Sequence, residues 1–365
     1  MASERAGTEP STARPGPSTA GPGAPPPEAP RPARGVVMRD VARLAGVSHQ
    51  TVSRVLNGHP SVRPETRTRV VAAMRALNYR RNLAARTLVT RRSRTLGLVA
   101  FETTLFGPAA TLYGVEQAAR DAGYFVSVAS VRSLDRDSVL AAIDRLCEQS
   151  VEGIVAIAPK RSVISALAQA PAGLPVVGVG GAGAAVPTVR IDNVAGADLA
   201  TRHLLALGHR SVHHVAGPPD WPEARARLDG WRAALRAAGA PVPPPHRGDW
   251  SARSGYQHGQ RLAADPSVTA VFCANDQIAL GVLRALHEAD RRVPGEVSVV
   301  GFDDLPESAY FIPPLTTVRQ DFAELGRRSL ELLVDQLAGA DRVSRRILLT
   351  PEFVPRASSA PPPRR

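Results

Sequence analysis

A short segment beginning at Ser48 carries side chains suited to contacting a nucleic acid. Gln50 can pair with adenine through two hydrogen bonds, and Arg54 can pair with guanine in the same way. The hydroxyl groups of Ser48, Thr51 and Ser53 suit phosphate oxygens. Apolar residues recur at helical spacing in this segment, which turns these polar side chains outward: His49, Gln50, Ser53, Arg54 and Asn57. The pattern predicts a helix that reads DNA, with the polar surface of an ordinary three-helix bundle as the alternative.

Arginine is concentrated around this segment. Residues 38–94 contain thirteen arginines against Asp40 and Glu65, a net charge of +11, whereas residues 1–37 carry +1 and residues 95–365 sum to zero. Because arginine displaces the counterions of phosphates, such a distribution favours binding to a polyanion. The alternative interpretation is a solvated basic surface without a partner.

Three short helices are predicted to position these side chains. Gly46 interrupts the first helix, Ser48 can cap the second, and Pro64 can open the third. We expect a helix-turn-helix DNA-binding domain over residues 37–81. Residues 1–36 are rich in proline and alanine without periodicity, and we expect them to be a disordered tail.

From Thr95 onward, apolar strands alternate with amphipathic helices. The predicted strands are 96–101, 125–129, 153–158, 176–179, 211–216, 270–273 and 297–302, and the predicted helices are 109–122, 139–148, 194–207, 223–238 and 277–288. This alternation indicates an α/β fold with parallel sheets covered on both faces. The length allows two such sheets, divided near residues 189–192. Ligands of such folds bind outside the carboxyl ends of the strands, in the crevice between lobes.

Composition excludes several classes of protein. No apolar run reaches the roughly 18–20 residues of a membrane span, and the first 34 residues contain no hydrophobic stretch of a signal peptide. Cys147 and Cys273 lie far apart and match no zinc or redox spacing. We therefore expect reduced thiols, a cytoplasmic location and no membrane partner.

Candidate cofactor and catalytic motifs are weak. The glycine run 178–183 fits G-x-G-x-x-G, but a strand-like segment follows it, and no acid stands about 20 residues beyond it for a ribose. Lys160 is the only lysine and has no glycine-rich loop. His213 and His214 would point to opposite faces of a strand, which makes a poor metal pair. We expect no cofactor, no metal and no enzymatic activity.

Several motifs, taken in order, resemble the LacI family of bacterial transcription regulators. The resemblance runs from about Val37 to Pro355 and rests on DVA at 40–42, AGVS at 45–48, TVSRVLN at 51–57, LNY at 77–79, LGHR at 207–210, RARLDGW at 225–231, GDWS at 248–251, NDQIA at 275–279, VVGFDD at 299–304 and PPLTTV at 313–318. It implies an N-terminal all-α head joined by a hinge helix to a two-lobed core like that of periplasmic binding proteins. The implied boundaries are 82–94 for the hinge helix and linker, 95–355 for the effector-binding and dimerisation domain, and 356–365 for a disordered tail.

The resemblance implies specific contacts with DNA. His49, Gln50 and Arg54 match positions that read bases in the major groove, and the hinge residue Leu88 matches one that wedges into the minor groove. The other implied contacts, several of them to the backbone, are Ser48, Thr51, Ser53, Asn57, Tyr79, Asn82 and Ala85. The family usually has a proline where this chain has Arg81, which would make the start of the hinge less rigid.

The resemblance also implies an effector site. The matching positions are Pro108, Arg227, Trp250, Asn275, Asp303, Gln320 and Phe322. Their hydrogen-bonding and aromatic groups suit a sugar. Trp250 could instead be plain core, and Asn275 could simply cap a helix. Some sugar-binding relatives carry an acid near Gly180, and its absence here leaves the identity of the sugar open.

The expected function is a homodimeric repressor that binds a pseudo-palindromic, double-stranded DNA operator and responds to a small, carbohydrate-like effector. A purine- or nucleoside-responsive regulator remains open, as does the choice between repressor and activator. A periplasmic sugar receptor would share the large fold but needs no basic head. Residues after Pro355 lack leucine heptads, so no tetramerising coiled coil is expected.

Overall fold

The computed structural model describes residues 36–80, 92–101, 103–133, 135–157, 163, 166–181, 186–339 and 345–363. The chain divides into two compact units, 1–82 and 83–365. The predicted hinge positions Asn82, Ala85 and Leu88 lie outside the described residues, as does Arg81. None of the helices that the structure describes is long and apolar enough to cross a membrane.

The first unit contains three helices, which are α1 (Met38–Ala45), α2 (His49–Leu56) and α3 (Pro64–Ala76). Helix α1 ends at Gly46, whose φ of 63° is a left-handed conformation that glycine adopts without a steric penalty. Fully buried Val41, Val52 and Val70 come one from each helix and form the centre of a small core. The predicted helix-turn-helix with a third supporting helix is therefore observed.

The first lobe of the second unit is built on a parallel sheet of six strands in the order β11-β5-β4-β3-β1-β2. These strands are β1 (Thr95–Phe101), β2 (Phe125–Val131), β3 (Ile154–Ile157), β4 (Val176–Val179), β5 (Thr188–Ile191) and β11 (Arg346–Leu349). The described helices of this lobe are α4 (Phe106–Asp121), α5 (Arg136–Glu148) and α10 (Phe322–Leu337). Separate apolar clusters form on the α5 side and on the α4 and α10 side, so both faces of the sheet are covered.

The second lobe has a parallel sheet of four strands in the order β7-β6-β8-β9. Its strands are β6 (His213–Ala216), β7 (His246–Arg247), β8 (Ala270–Cys273) and β9 (Ser298–Val300), and its helices are α6 (Asn193–Ala206), α7 (Pro222–Ala237), α8 (Ala252–Ala263) and α9 (Asp276–Glu288). Gly281 of α9 lies so close to the carbonyl of Ala252 that a Cβ would collide with it, which explains how α8 and α9 pack tightly.

The chain passes between the lobes three times. Strand β5 leads into α6, and a short antiparallel pair, β10 (Thr317–Arg319) and β12 (Glu352–Val354), carries the other two crossings. The division that the sequence predicts near residues 189–192 coincides with the first crossing. Strands β7, β10, β11 and β12 were not predicted. Strands β7 and β11 lie at the edges of their sheets, and β10 and β12 form a sheet of only two strands.

The predicted disordered tail at 356–365 is wrong for the residues up to 360. Ser358 is fully buried. Its Oγ donates a hydrogen bond to the carbonyl of Val299 at 2.6 Å and accepts one from the amide of Thr316 at 2.8 Å. The carbonyl of Ala360 accepts from Ser298 Oγ at 2.9 Å. A proline-rich composition predicts disorder only where the backbone lacks partners, and the second lobe supplies them here.

Candidate DNA-recognition helix and effector cleft

Helix α2 presents the predicted DNA-reading side chains to solvent. His49, Gln50, Arg54 and Asn57 are exposed, whereas Val52 and its neighbours pack into the head. This separation follows from the helical period, which turns every third or fourth residue toward the core. The helix therefore has one apolar face and one face of hydrogen-bonding groups, as a helix that enters a major groove requires.

The short hydroxyl groups at the start of α2 already have intramolecular roles. Ser48 Oγ accepts a hydrogen bond from the amide of Thr51 at 3.1 Å and lies 2.9 Å from the hydroxyl of Thr51. Ser48 is thus the N-cap of α2. Ser53 is half-buried, and Tyr79 packs partly against the apolar core of the head. Ser48 therefore stabilises the start of α2, and Tyr79 contributes to the apolar core of the head.

A cavity of about 670 Å³ lies between the two lobes of the second unit. Its volume is in the range of small-molecule sites in proteins. The carboxyl ends of β4 and β5 border it from one side, and the first turn of α7 borders it from the other. The structure brings all seven positions of the predicted effector site to its walls: Pro108, Arg227, Trp250, Asn275, Asp303, Gln320 and Phe322.

A buried ion pair occupies the floor of the cavity. Arg227 and Asp303 are 4% and 7% exposed, and Arg227 Nη1 lies 3.3 Å from Asp303 Oδ1. Gln320 Nε2 donates to the same carboxylate oxygen at 2.6 Å, and Arg227 Nε donates to Asn193 Oδ1 at 2.7 Å. Burial raises the pKa of Asp303, and the nearby Arg227 guanidinium opposes that rise. The network fixes polar groups that a ligand with hydroxyl groups could engage.

Aromatic side chains form the apolar walls. The Arg227 guanidinium carbon lies 3.8 Å from the centroid of the Phe302 ring, a cation–π geometry that supports the ion pair from beneath. Trp250 meets Trp221 edge to face at 5.7 Å between centroids, and Phe322 meets Phe106 in the same manner at 5.7 Å. Flat rings of this kind stack on the C–H faces of sugars and on planar bases.

Trp250 belongs to the apolar core of the second lobe and also borders the cavity. It is 7% exposed, its φ is a left-handed 72°, and its Nε1 is a buried donor without an acceptor among the described residues. A buried tryptophan N–H normally finds a partner. Gly217 provides the space for the indole, because a Cβ there would collide with the ring.

Asn275 caps helix α9. Its Oδ1 accepts from the amide of Ile278 at 2.8 Å, and its Nδ2 donates to the carbonyl of Trp250 at 3.0 Å. The capping role foreseen as an alternative is therefore present, in a residue that also borders the cavity. Behind it, burial and the Asp303 carboxylate raise the pKa of Asp276 to about 7.

Sequence reasoning missed several residues of the cavity wall. They are Asn193, the partner of Arg227, and a group in or just before the first turn of α7, namely Asp220, Trp221, Glu223 and Arg225. Asn193 directly follows a strand, which was an available signal. Arg225 lies in the RARLDGW stretch at 225–231, so a signal existed for it as well. Asp220, Trp221 and Glu223 had none, because the sequence pattern does not connect this helix start to a strand end.

The glycine run after β4 contacts one of these missed residues. The amide of Gly181 donates to Glu223 Oε1 at 3.0 Å. Residues 182–185 of the run lie outside the described residues. Elsewhere, His214 is buried against Phe272 while its neighbour His213 faces His246, so the two histidines do diverge. Within the described ranges, no cluster of three or more metal-binding side chains occurs.

Each of the two units contains residues that match the model of a known protein family. Residues 37–82 match the model of bacterial regulatory proteins of the lacI family, and residues 201–359 match that of a periplasmic binding protein-like domain. The lactose operon repressor of Escherichia coli (strain K12) is 35% identical over 330 residues, which cover 90% of this chain and 91% of the repressor. The transcriptional regulator CelR of Thermobifida fusca is 38% identical over 331 residues, which cover 87% of this chain and 96% of CelR.

Solved structures show the same relationship. The lac repressor dimer bound to operator and the anti-inducer ONPF superimposes with a TM-score of 0.81 at 35% identity, covering 90% of this chain and all of that one. The complex of the transcriptional regulator CelR with cellobiose gives a TM-score of 0.66 at 34% identity, covering 88% of this chain and 99% of that one. The chain belongs to the lacI family of bacterial regulatory proteins, and its first unit is a DNA-binding domain of that family.

Proposed function

We propose that this protein is a transcriptional repressor whose affinity for its operator is set by a neutral carbohydrate bound in the cavity between the lobes. The observation that carries the proposal is the cavity floor, where Arg227, Asp303 and Gln320 form one hydrogen-bonded network beside the Trp250 ring. Fixed hydrogen-bonding groups next to a flat apolar ring suit a sugar, which has hydroxyl groups on its edge and C–H groups on its face.

The protein acts as a homodimer on a pseudo-palindromic operator. Two identical heads related by a two-fold axis require two related half-sites, and the lac repressor, a relative of this chain, has been solved as a dimer bound to operator. The named relatives are regulators, and we propose that this chain likewise binds DNA in the cytoplasm without catalysing a reaction.

The effector works through a difference in affinity. A sugar can shift the protein away from DNA only if it binds the DNA-free conformation more tightly. The cavity lies between the lobes, so its occupation changes how the lobes close on each other. Contacts that the lobes make in the DNA-bound dimer are then lost.

A ligand screen tests the proposal. In one assay, the Tm of the full-length protein is measured with cellobiose, lactose, ribose or adenosine. In a second assay, fluorescence anisotropy follows the release of the protein from a DNA duplex that was selected for binding to it. A ligand at 100 times its Kd stabilises the folded protein by about 2.7 kcal/mol. We expect one of the sugars both to raise the Tm and to release the DNA. Stabilisation and release by adenosine alone would contradict the carbohydrate proposal and favour a nucleoside effector.

A further inference from the structure

Two consecutive aspartates lie just after strand β9, and both have left-handed backbone. The φ angles of Asp303 and Asp304 are 110° and 56°, a range that residues other than glycine rarely adopt. The amide of Asp303 donates to the carbonyl of Val318 at 2.8 Å, which joins this segment to strand β10. Strained backbone persists only where the surrounding contacts fix it. Further contacts must therefore hold residues 303 and 304 in place.

The side chain of Asp304 supplies two of these contacts. Its Oδ2 accepts from Arg319 Nε at 2.7 Å, and its Oδ1 accepts from Arg356 Nη2 at 2.6 Å. The Asp304 side chain is only 8% exposed, so both ion pairs form largely away from solvent on its side. Arg319 Nη1 also donates to Glu352 Oε2 at 3.0 Å. We call these four residues the Asp304 hub: Asp304, Arg319, Glu352 and Arg356.

The hub joins the segments that connect the two lobes. Arg319 ends strand β10 and Glu352 begins strand β12, and these strands carry the second and third crossings. Arg356 Nη1 donates to the carbonyl of Leu315 at 2.8 Å, so its planar guanidinium also bridges Asp304 to the segment that leads into β10. The Asp304 carboxylate therefore accepts from the end of β10 and from the chain that follows β12.

The segments that meet at the hub also meet at the cavity. Gln320 follows Arg319 in sequence and donates to Asp303, which precedes Asp304. Of these four residues, Asp303 and Gln320 line the cavity, whereas Asp304 and Arg319 do not. Two neighbouring pairs of side chains thus link the same two backbone segments, one pair at the ligand site and one at the crossings. A displacement of β10 relative to residues 303–304 alters both pairs together.

We propose that Asp304 is a positioning residue, which couples the effector cavity to the relative orientation of the two lobes. This inference rests on the proposed function. The two ion pairs of Asp304 hold Asp303 in the strained conformation of the cavity floor, and they fix the two crossings that return between the lobes. A ligand that moves Asp303 or Gln320 therefore changes the geometry of the hub, and the hub passes that change to the crossings.

The exposure of the hub residues allows this role to be separated from simple stabilisation. The side chains of Arg319 and Glu352 are 46% and 67% exposed, and ion pairs between exposed groups contribute little to the free energy of unfolding. The Asp304 and Arg356 side chains are 8% and 16% exposed. Arg319→Gln removes one contact of Asp304 and leaves the more buried pair intact. We expect this variant to fold and to loosen residues 303–304.

The test compares the full-length wild type with Arg319→Gln, Asp304→Asn and the double variant. The matched controls are Arg202→Gln and Asp198→Asn, which break an ion pair of 2.7 Å within helix α6. For each protein, the Kd of the sugar is measured with and without a saturating DNA duplex that was selected for binding to wild type. Cellobiose, lactose and ribose are the probes. The ratio of the two Kd values is the coupling factor.

We expect each hub substitution to reduce the coupling factor from about 5–150 in wild type to below about 2. Sugar affinity without DNA should change by less than about tenfold, because Asp303 keeps its partners Arg227 and Gln320. The double variant should behave like Asp304→Asn, because both substitutions disrupt one unit. Ion pairs that only stabilise the fold would lower the Tm and leave the coupling factor at the value of the controls, which would overturn the proposal.

Hydrogen exchange of the protein without sugar or DNA provides a second measurement. In Arg319→Gln, the amides of Asp303 and of strand β10 should exchange at least about tenfold faster than in wild type, while those of α6 stay unchanged. Unchanged exchange at Asp303 would overturn the proposal, whether or not Asp304→Asn folds.

The two proposals fail in different ways. If one sugar releases wild type and every hub variant from DNA equally, the repressor function stands and only the role of Asp304 is refuted. If no sugar binds wild type, the carbohydrate class is refuted. The coupling factor is then measured with adenosine, and hydrogen exchange still decides whether the hub holds Asp303 in place.

Discussion

Asp303 carries a side chain at a φ of 110°, a conformation that residues other than glycine rarely adopt. The strain places its carboxylate against Arg227 and Gln320 at the cavity floor. Strained backbone at a ligand cavity is consistent with a functional position, because packing alone could use a relaxed one. The left-handed backbone at Asp303 therefore accompanies a carboxylate that is held at the cavity floor.

Removing one partner of the Arg227–Asp303 ion pair should destabilise the folded protein. In Asp303→Asn, the Arg227 charge stays buried without its counter-charge, and we expect the free energy of unfolding in urea to fall by about 3–5 kcal/mol. The double variant Asp303→Asn with Arg227→Met removes the stranded charge as well and should be more stable than the single variant. A double variant that loses the sum of both single effects would show that the two residues act independently.

Arg54 should determine sequence preference in DNA. Because arginine can make two hydrogen bonds to guanine, Arg54→Ala should weaken binding to the selected duplex by about 1–3 kcal/mol and relax the preference at one base pair. Anisotropy titrations against single-base variants of the duplex measure both effects, with Arg236→Ala, an exposed position in the second lobe, as the control. An equal loss on random DNA would mean that Arg54 contacts only phosphates.

At the scale of elements, strand β6 carries a histidine that makes stability depend on pH. His214 is fully buried, its ring stacks on Phe272 at 4.7 Å, and burial lowers its pKa to about 3. In the unfolded chain His214 is protonated below about pH 6.5, whereas in the folded chain it is protonated only near pH 3. The contribution of the neutral His214 to the free energy of unfolding is therefore fully present above pH 6.5 and is lost as the pH falls toward 3.

Removing the histidine should flatten this dependence. Between pH 6.5 and 4.5, His214 contributes a slope of up to about 1.4 kcal/mol per pH unit, which His214→Gln should abolish. Urea unfolding of the second unit at several pH values measures the slope. His287→Gln, an exposed position on α9, serves as the control and should keep it. An unchanged slope in His214→Gln would mean that other groups bind the proton.

Elements with helical periodicity or a continuous apolar run could be predicted from the sequence, whereas several short strands outside such runs could not. The strands at 176–179 and 270–273 were predicted to the residue, because continuous apolar runs flanked by helices leave few alternatives. Strand β10 has three residues and pairs with β12 across a long stretch of sequence, so no local pattern reveals it. The same limit explains the packed segment that ends at Ala360, which depends on partners in β9 and its surroundings.

The residues of the candidate site also differ in whether the sequence could predict them. Arg227, Trp250 and Asp303 lie in motifs that resemble a known family, and the fold brings them to one cavity. Glu223 lies 43 residues from Gly180 in a different lobe, and only the three-dimensional structure brings its carboxylate to that glycine. Contacts between lobes depend on the relative placement of whole sheets, which residue spacing does not encode.

At the scale of the whole molecule, charge separates the two functions. The net charge of +11 over residues 38–94 contrasts with the neutral remainder of the chain. If the dimer neutralises about 6–10 phosphates, its affinity for DNA should fall by about 10³- to 10⁵-fold between 50 and 200 mM salt. Anisotropy over this range measures the slope, while sugar binding measured in parallel should stay nearly constant. A salt-independent affinity for DNA would contradict the role of the basic head.

The most direct test of the account is the reciprocity between its two sites. A sugar that lowers affinity for the selected duplex by some factor must have its own affinity lowered by the same factor when that duplex is bound. We predict a factor in the range of about 5 to 150, obtained equally from DNA titrations with saturating sugar and from sugar titrations with saturating DNA. Sugar binding that leaves the Kd for DNA unchanged would contradict a ligand-controlled repressor.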